Sequence, residues 1–391
     1  MPDIVPTADD GREPTASALP SVTAAAVPSL CPVRTSAGGD PDFPVGSVIS
    51  MAFDDEYLSR LYRLDLRNQS VEPYLADLPR GYVEKIHTSP DGRWLAFVFE
   101  ENDATHAVGK QIVTASGDEQ NPRMMPLPTD LEAVELSQWL LDGQRITAYP
   151  PFDQAQLPGN RPDRMLVIEP FSSETNTLET AFPYEASELW EYWGRLGGSV
   201  AYDSSLSRAV YLDDATHWVL FDVQKSTVLW RAFLFGVPFP AWAADGSGFA
   251  YPIFLNGLGG APDPSAEAND VGLVVVSREG QEWHSPSVAK VKTGITTYGI
   301  SPHGRYVWFR VEDGTLPPGL YVWDRQSDRL LDCFVTSAVD PIWSTSDEQF
   351  IVQPTGSPGS ATFVWIVDME SSTYVEAPMA GTHPVAWLHV P

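Results

Sequence analysis

A chain of 391 residues carrying 52 acidic against 24 basic side chains, net charge −28, has no basic surface with which to hold phosphates, which excludes nucleic acid as a partner. A hydrophobic fraction of 43% with 11% aromatics supplies a large core, yet no apolar run reaches membrane-spanning length, so no transmembrane segment is expected. The acidity serves solubility, and it equally suits a saline medium, cationic ligands, divalent metals or basic protein patches.

Residues 1–42 are rich in Pro, Ala, Ser and Thr and nearly devoid of bulky core formers, so they are expected to be a disordered tail or linker. Residues 43–391 are expected to fold as one domain. Neither a positively charged start nor an apolar signal core precedes them, so either a signal has been removed or the protein is not exported. Leu30-Cys31 follows Ala26-Val27-Pro28-Ser29, the wrong stretch for a lipid-attachment site. Cys31 in the tail and Cys333 in an expected outer strand permit a disulfide without indicating one.

The folded part opens with Val48 to Phe53, an apolar strand, followed by Tyr-Arg-Leu-Asp at Tyr62 to Asp65 and a further strand around Tyr74. Next comes Ser-Pro-Asp-Gly-Arg-Trp-Leu-Ala-Phe from Ser89, which returns as Ser-Pro-His-Gly-Arg-Tyr-Val-Trp-Phe from Ser301. Pro fixes φ in a turn, Asp caps local N–H groups, and Gly accepts φ > 0. The strand that follows, Trp94 to Phe99, is too apolar to have one wet face. Looser copies begin at Leu140, Ser204, Ala243 and Ser344. The residue ahead of the turn is Trp139, Trp242 or Trp343 in three copies, and Thr88, Asp203 and Ile300 in the others. Each turn unit leads to an apolar strand ending in Asp, as at Tyr62 to Asp65, Val219 to Asp222, Tyr321 to Asp324 and Trp365 to Asp368.

The repeat is therefore inner strand, turn, second strand, loop, third strand ending in Asp, turn, outer strand, which is one blade of a β-propeller. The Pro-x-Trp-Ser-Pro-Asp-Gly-like turn and the Tyr-x-x-Asp strand resemble the propeller repeats of the TolB-like family, relatives of WD-type repeats, over roughly residues 44 to 391. That resemblance implies a fold more than an activity, because such propellers serve as binding scaffolds, sensor domains and covers for peptidases. It also implies an extracytoplasmic setting, periplasmic or cell surface, ahead of a cytoplasmic one.

The chain ends in Thr-His-Pro-Val-Ala-Trp-Leu-His-Val-Pro, where Trp387 matches Trp139, Trp242 and Trp343. This reads as an inner strand with no sheet after it, while Val48 to Phe53 has no inner strand before it. The expected fold is thus an all-β, seven-bladed propeller of four-stranded antiparallel blades. Its ring closes by pairing the C-terminal strand with the N-terminal blade, which removes two open edges.

In such a blade the Ser-Pro-Asp-Gly-like turns mark one face of the disc, and the loops between second and third strands open on the other. That loop face gathers acids: Asp54, Asp55 and Glu56, then Glu100, Glu101 and Asp103, then Asp153, then Asp213 and Asp214, then Glu312 and Asp313. The insertions from Pro150 and Asn256 lie there too. An insertion from Ser187 has the spacing of a short helix, with Trp190 and Tyr192 either anchoring a partner or packed across the propeller. The loop face is where binding is expected, although strand ends carry solvated acids in any case. Lys85, His87, Glu135, Asp340 and His383 lie on inner strands and are expected to line the central channel, around a ligand or around water. No His-x-His or dense His/Asp cluster has metal spacing, so no cofactor is evident, and the acids leave room for a divalent cation such as calcium.

There is no Gly-x-Ser-x-Gly elbow, no P-loop, no dinucleotide fingerprint and no Cys/His zinc set in the sequence. Two readings follow. The first is a non-enzymatic binding or scaffold propeller that engages a protein or small ligand, cationic in character, through its acidic, insertion-rich face. The second is a carbohydrate-active or other hydrolytic propeller with paired carboxylates near the axis, supplied by different blades.

Overall fold

A computed structural model describes residues 33–34, 46–54, 58–102, 110–117, 122–127, 135–149, 164–180, 200–212, 217–233, 240–257, 260, 262–263, 265–292, 295, 297–314, 316–334, 340–353, 363–379 and 383–389. The described strands form seven sheets. Their inner strands are His383–Leu388 in blade 1, Gly81–Val83 with His87–Thr88 in blade 2, Glu135–Trp139 in blade 3, Val200–Tyr202 in blade 4, Ala241–Trp242 in blade 5, Tyr298–Ile300 in blade 6 and Ile342–Trp343 in blade 7. Each pairs antiparallel with the second strand of its blade. Among the described residues no helix is long and apolar enough to cross a membrane.

The closure expected from Trp387 is present. His383–Leu388 runs antiparallel to Ser47–Phe53, with Trp387 opposite Val48 and His383 opposite Met51. The first blade therefore takes its inner strand from the end of the chain and its other three strands from Ser47–Phe53, Ser59–Asp65 and Ser70–Tyr74. At the rim of blade 7 the pair Val33–Arg34 adds a parallel strand against Thr373–Tyr374, inside the segment expected to be tail or linker.

The core explains why the strands lack a polar face. Successive side chains of a strand point to opposite sides, and in a propeller both sides meet another blade. In the second strand of blade 2, Leu95, Phe97 and Phe99 pack with Ile49, Leu61 and Tyr74 of blade 1. The alternate Ala96 and Val98 pack with Leu136, Trp139, Ile146 and Ala148 of blade 3. The pattern continues round the ring, with one apolar cluster at each blade-to-blade interface. Phe97, Phe249, Phe309 and Phe350 are fully buried, each contributing roughly 2–3 kcal/mol of apolar burial.

Both sequence motifs have a local cause. In the first turn Ser89 Oγ accepts the Trp94 N–H at 3.0 Å and donates to Asp91 Oδ1 at 2.6 Å, while Asp91 accepts the Arg93 N–H at 3.1 Å. Gly92 stands at φ 69°. The Asp that ends the third strand caps the next turn: Asp65 accepts N–H groups from Arg67 and Asn68, and Asp222 from Gln224 and Lys225. Asp368 does the same for Ser371.

Blade 4 departs from the alignment read off the sequence. Asp203, rather than Ser204, occupies the place of Ser89: its N–H bonds to Arg208 O, as Ser89 N–H bonds to Trp94 O. Leu206 carries the positive φ of 58° that Gly92 carries in blade 2. The residue ahead of the turn is accordingly Tyr202. With neither Pro nor Gly to mark it, the copy slips by one residue, and the buried Asp203 carboxylate replaces the serine by accepting the N–H groups of Ser207 and Arg208 at 2.8 and 2.9 Å.

The turn tips also touch one another. Leu141 N–H bonds to Ser204 O, Asp245 N–H to Pro302 O, and His389 N–H to Gly92 O. Where His303 replaces the capping Asp in blade 6, Asp347 of blade 7 reaches across and accepts the His303 and Arg305 N–H groups at 2.8 and 3.0 Å. The His389 ring lies against Gly92, where an added Cβ would come within 2.6 Å of it and within 2.7 Å of Thr345. Gly92→Ala combines that clash with a left-handed φ and is expected to destabilise by about 1–3 kcal/mol. Urea unfolding measures it, and an unchanged midpoint would show that the ring of turns yields freely.

Candidate functional site

Second strands run from the turn face to the loop face, so Phe53, Glu100 and Glu101 end together on the loop face, with Glu312 just beyond the second strand of blade 6. Tyr82 begins the inner strand of blade 2 opposite Glu100, and Phe233 ends the outer strand of blade 4, at the same face. Three aromatic side chains are exposed there: Phe53 at 47%, Tyr82 at 43% and Phe233 at 44%. Glu100 and Glu312 are exposed beside them, and Glu101 and Asp313 are partly buried. Of the acids and aromatics expected on this face, Asp55, Glu56, Asp103, Asp153, Asp213, Asp214, Trp190 and Tyr192 lie outside the described residues.

Asp54 has structural partners. It accepts the Leu58 N–H at 3.0 Å and pairs with Arg80 at 3.0 Å and Arg60 at 3.6 Å. These groups border a cavity of about 380 Å³ between blades 1 and 2, floored by Leu61, Leu75 and Phe99. Two guanidiniums offset its charge locally, so Asp54 adds little to the field of the face. Asp313 accepts the Lys292 N–H at 3.2 Å, tying blade 6 to blade 5.

The residues expected to line the channel separate into two levels. Lys85 lies close enough to act electrostatically on both His87 and Asp340, and Asp340 is bridged to Arg310 at 3.1 Å. Desolvation raises the Asp340 carboxyl above its ordinary value, while Arg310 and Lys85 pull it back. His383 stands beside Phe53, ring centroids 6.1 Å apart, and burial lowers its pKa. Glu135 opens the inner strand of blade 3 opposite Tyr149. His87 sits one level nearer the turns. Its burial, reinforced by Lys85 and opposed by a hydrogen bond with the Leu136 backbone, lowers its pKa to about 4. Its Nε2 is sealed and meets no protein partner. Among the described residues no group of three His, Cys, Asp or Glu stands in metal-binding proximity.

At the turn face the axis opens into a cavity of about 300 Å³. Every blade contributes to its wall: Trp387, His87, Trp139, Ser204, Trp242, Pro302 and Trp343, in blade order. The sequence marks these tryptophans as a regular position ahead of the turn. It does not reveal that six such positions, Trp387, Thr88, Trp139, Trp242, Ile300 and Trp343, converge on one space that Ser204 in the turn of blade 4 completes. The signal that could have found them is the same regularity, since a residue fixed at one end of every inner strand must lie near the axis.

No family model matches the chain, and no curated protein does. Among solved structures it is similar to the β-propeller domain of the Trilobed protease from Pyrococcus furiosus, with 11% identity over 77% of this chain and 85% of that one, TM-score 0.47. It is similar to TolB from Acinetobacter baumannii, with 10% identity over 88% and 82% of the two chains, TM-score 0.43. A third is the Cps50 (Swd1) β-propeller domain from Myceliophteria thermophila, with 11% identity over 84% and 95%, TM-score 0.39. The seven sheets of the chain itself carry the assignment: it is a seven-bladed β-propeller, consistent with the TolB-like and WD-type resemblance of its repeats.

Proposed function

We propose that the protein is a non-enzymatic binding propeller that engages a basic protein partner through its loop face. The observation that carries this reading is the company of exposed aromatics and of acids with no cationic partner among the described residues: Phe53 and Tyr82 with Glu100 and Glu101, and Phe233 and Glu312 on other blades. Aromatic anchors supply contact area, and a negative rim steers a cationic partner. The charge of −28 extends that steering over the whole molecule. Asp54 is excluded from the binding set because it is paired with Arg60 and Arg80.

The test compares immobilised wild type with the variant Phe53→Ser/Tyr82→Ser/Glu100→Gln/Glu101→Gln in capture of basic proteins from the native source. Leu141→Ser serves as a control, since Leu141 is exposed at 44% on the opposite face. Retention of the captured partner is expected to fall about tenfold or more in the loop-face variant, to weaken with salt, and to survive in the control. Equal capture by all three proteins would overturn the reading.

A further inference from the structure

The cavity at the turn-face end of the axis belongs to the face opposite the one just described, and its wall has a chemistry of its own. Of the four tryptophans that line it, two bond to the inner strand of the preceding blade, Trp139 Nε1 donating to His87 O and Trp242 Nε1 to Ala201 O, each at 3.0 Å, while the buried Nε1 atoms of Trp343 and Trp387 have no protein acceptor. By the repeat, Trp343 should reach Gly299 O in blade 6. Instead its ring stacks on Tyr306, with centroids 5.6 Å apart and planes 12° apart, and its buried Nε1 has no protein acceptor. His87 Nε2 is the complementary case. Its ring already bonds to the Leu136 backbone, which leaves Nε2 as a sealed acceptor with no protein donor. Buried polar atoms are ordinarily satisfied, yet three residues that line this cavity carry an unpartnered ring nitrogen, a donor on Trp343, a donor on Trp387 and an acceptor on His87.

We propose that the cavity binds a small uncharged polyol of the sugar class, accepting from Trp343 Nε1, donating to His87 Nε2, and lying against the partly exposed indoles of Trp242 and Trp343. Charge selects against ions: apart from neutral His87, no ionisable side chain lines the cavity, so an ionic ligand would lose its hydration with nothing to replace it. The unused ring nitrogens, with Thr88 and Thr345 beside them, select against a hydrocarbon, which would leave them unsatisfied. Indole faces suit the flat apolar side of a sugar ring. The volume of about 300 Å³ lies at the small end of ligand pockets, fitting a mono- or disaccharide.

The experiment uses the full chain and follows tryptophan emission and calorimetric heat on titration with glucose, N-acetylglucosamine, xylose and maltose, with glucosamine and glucuronate as charged analogues. At least one neutral sugar is expected to give a saturable response with a Kd of about 1 mM or tighter, and the charged analogues to bind about tenfold more weakly or not at all. Trp343→Phe, which keeps the ring and removes the N–H, and His87→Phe are each expected to weaken binding about tenfold. Thr88→Val, at a partly exposed position, gives an independent reading if either ring substitution lowers the melting temperature. The loop-face variant Glu100→Gln/Glu101→Gln should bind sugar as wild type does, which keeps this result separate from the fate of the loop-face partner. Absence of a saturable response to any neutral sugar, as for a cavity holding only water, would overturn the proposal. So would equal binding of the charged analogues, or wild-type affinity in all three cavity variants.

Discussion

A chain ending at residue 382 is expected to lose the cooperative melt of the full propeller and to self-associate. The missing strand takes Trp387 from the interface with blade 7 and Ala386 and Leu388 from the interface with blade 2. It also strips the hydrogen-bonding partner from Ser47 to Met51, exposing an edge ready to pair with another chain. The single substitution Trp387→Ala isolates the packing part of this loss. Trp387 is 2% exposed, and emptying such a site costs about 3–5 kcal/mol, a large share of the roughly 5–15 kcal/mol that holds a domain together. Circular dichroism melts and size-exclusion chromatography read both effects, and a synthetic peptide of residues 383–391 added to the shortened chain should restore part of the melt. A shortened chain that stays monomeric and melts within about 5 °C of the full one would show that the closure is ornamental.

Acidification should weaken the propeller in two windows. His87, His383 and His389 are all held below the ordinary value of 6.5, chiefly by burial. Their rings stay neutral in the folded state while the unfolded chain takes up protons near pH 6.5, so their contribution is complete above that pH and is lost as the pH falls. For His87 the loss runs from 6.5 down to about 4, worth about 3 kcal/mol. The second window belongs to Asp222, Asp324 and Asp368. Burial, the largest single influence, pushes each carboxyl up, but the hydrogen bonds and charges around it together outweigh burial, with the Lys225 N–H foremost among them at Asp222, Arg305 at Asp324 and the Ser371 N–H at Asp368, leaving all three below 3.8. Their contribution is present above the ordinary carboxylate value and disappears below it. Urea midpoints between pH 7 and pH 3 should therefore fall in two steps, and His87→Gln should flatten the upper one. A midpoint constant from pH 7 to pH 5 would sink the account of His87.

The parts of this structure that were legible in the sequence are those with local chemical causes. Ser-Pro-Asp-Gly announces its turn because each residue is chosen by the backbone it occupies, and Trp387 announces the closure because its three counterparts stand in the same place. Blade 4 was misread by one residue because Ser204-Ser205-Leu206-Ser207 contains neither Pro nor Gly. The strain of Leu206 at φ 58° is absorbed by Asp203, a device visible only in three dimensions. Asp347 capping the turn of blade 6 is likewise invisible from the sequence, since the cap comes from the neighbouring blade. The candidate sites fared differently on the two faces. Acid-rich loops are apparent in any sequence, but the two arginines that offset Asp54 come from the third strand of blade 1 and the approach to blade 2. The axial cavity has no continuous stretch to read, being assembled from one or two positions at the ends of six inner strands and from turn residues, Ser204 of blade 4 among them.

The pairing of Met51 with His383 also sets an order of events during synthesis. The second strand of blade 1 leaves the ribosome long before its inner neighbour, His383–Leu388. Throughout elongation that strand offers an unpaired edge, and the interface between blades 1 and 7 has no partner to complete it. Non-local contacts of this kind slow folding and lengthen the exposure of edges that can aggregate. Expression yield should therefore depend on how the nascent chain is shielded until residues 383–388 emerge, and a circular permutant that begins at residue 383 and runs on into Gly46 would have its first blade complete from the start.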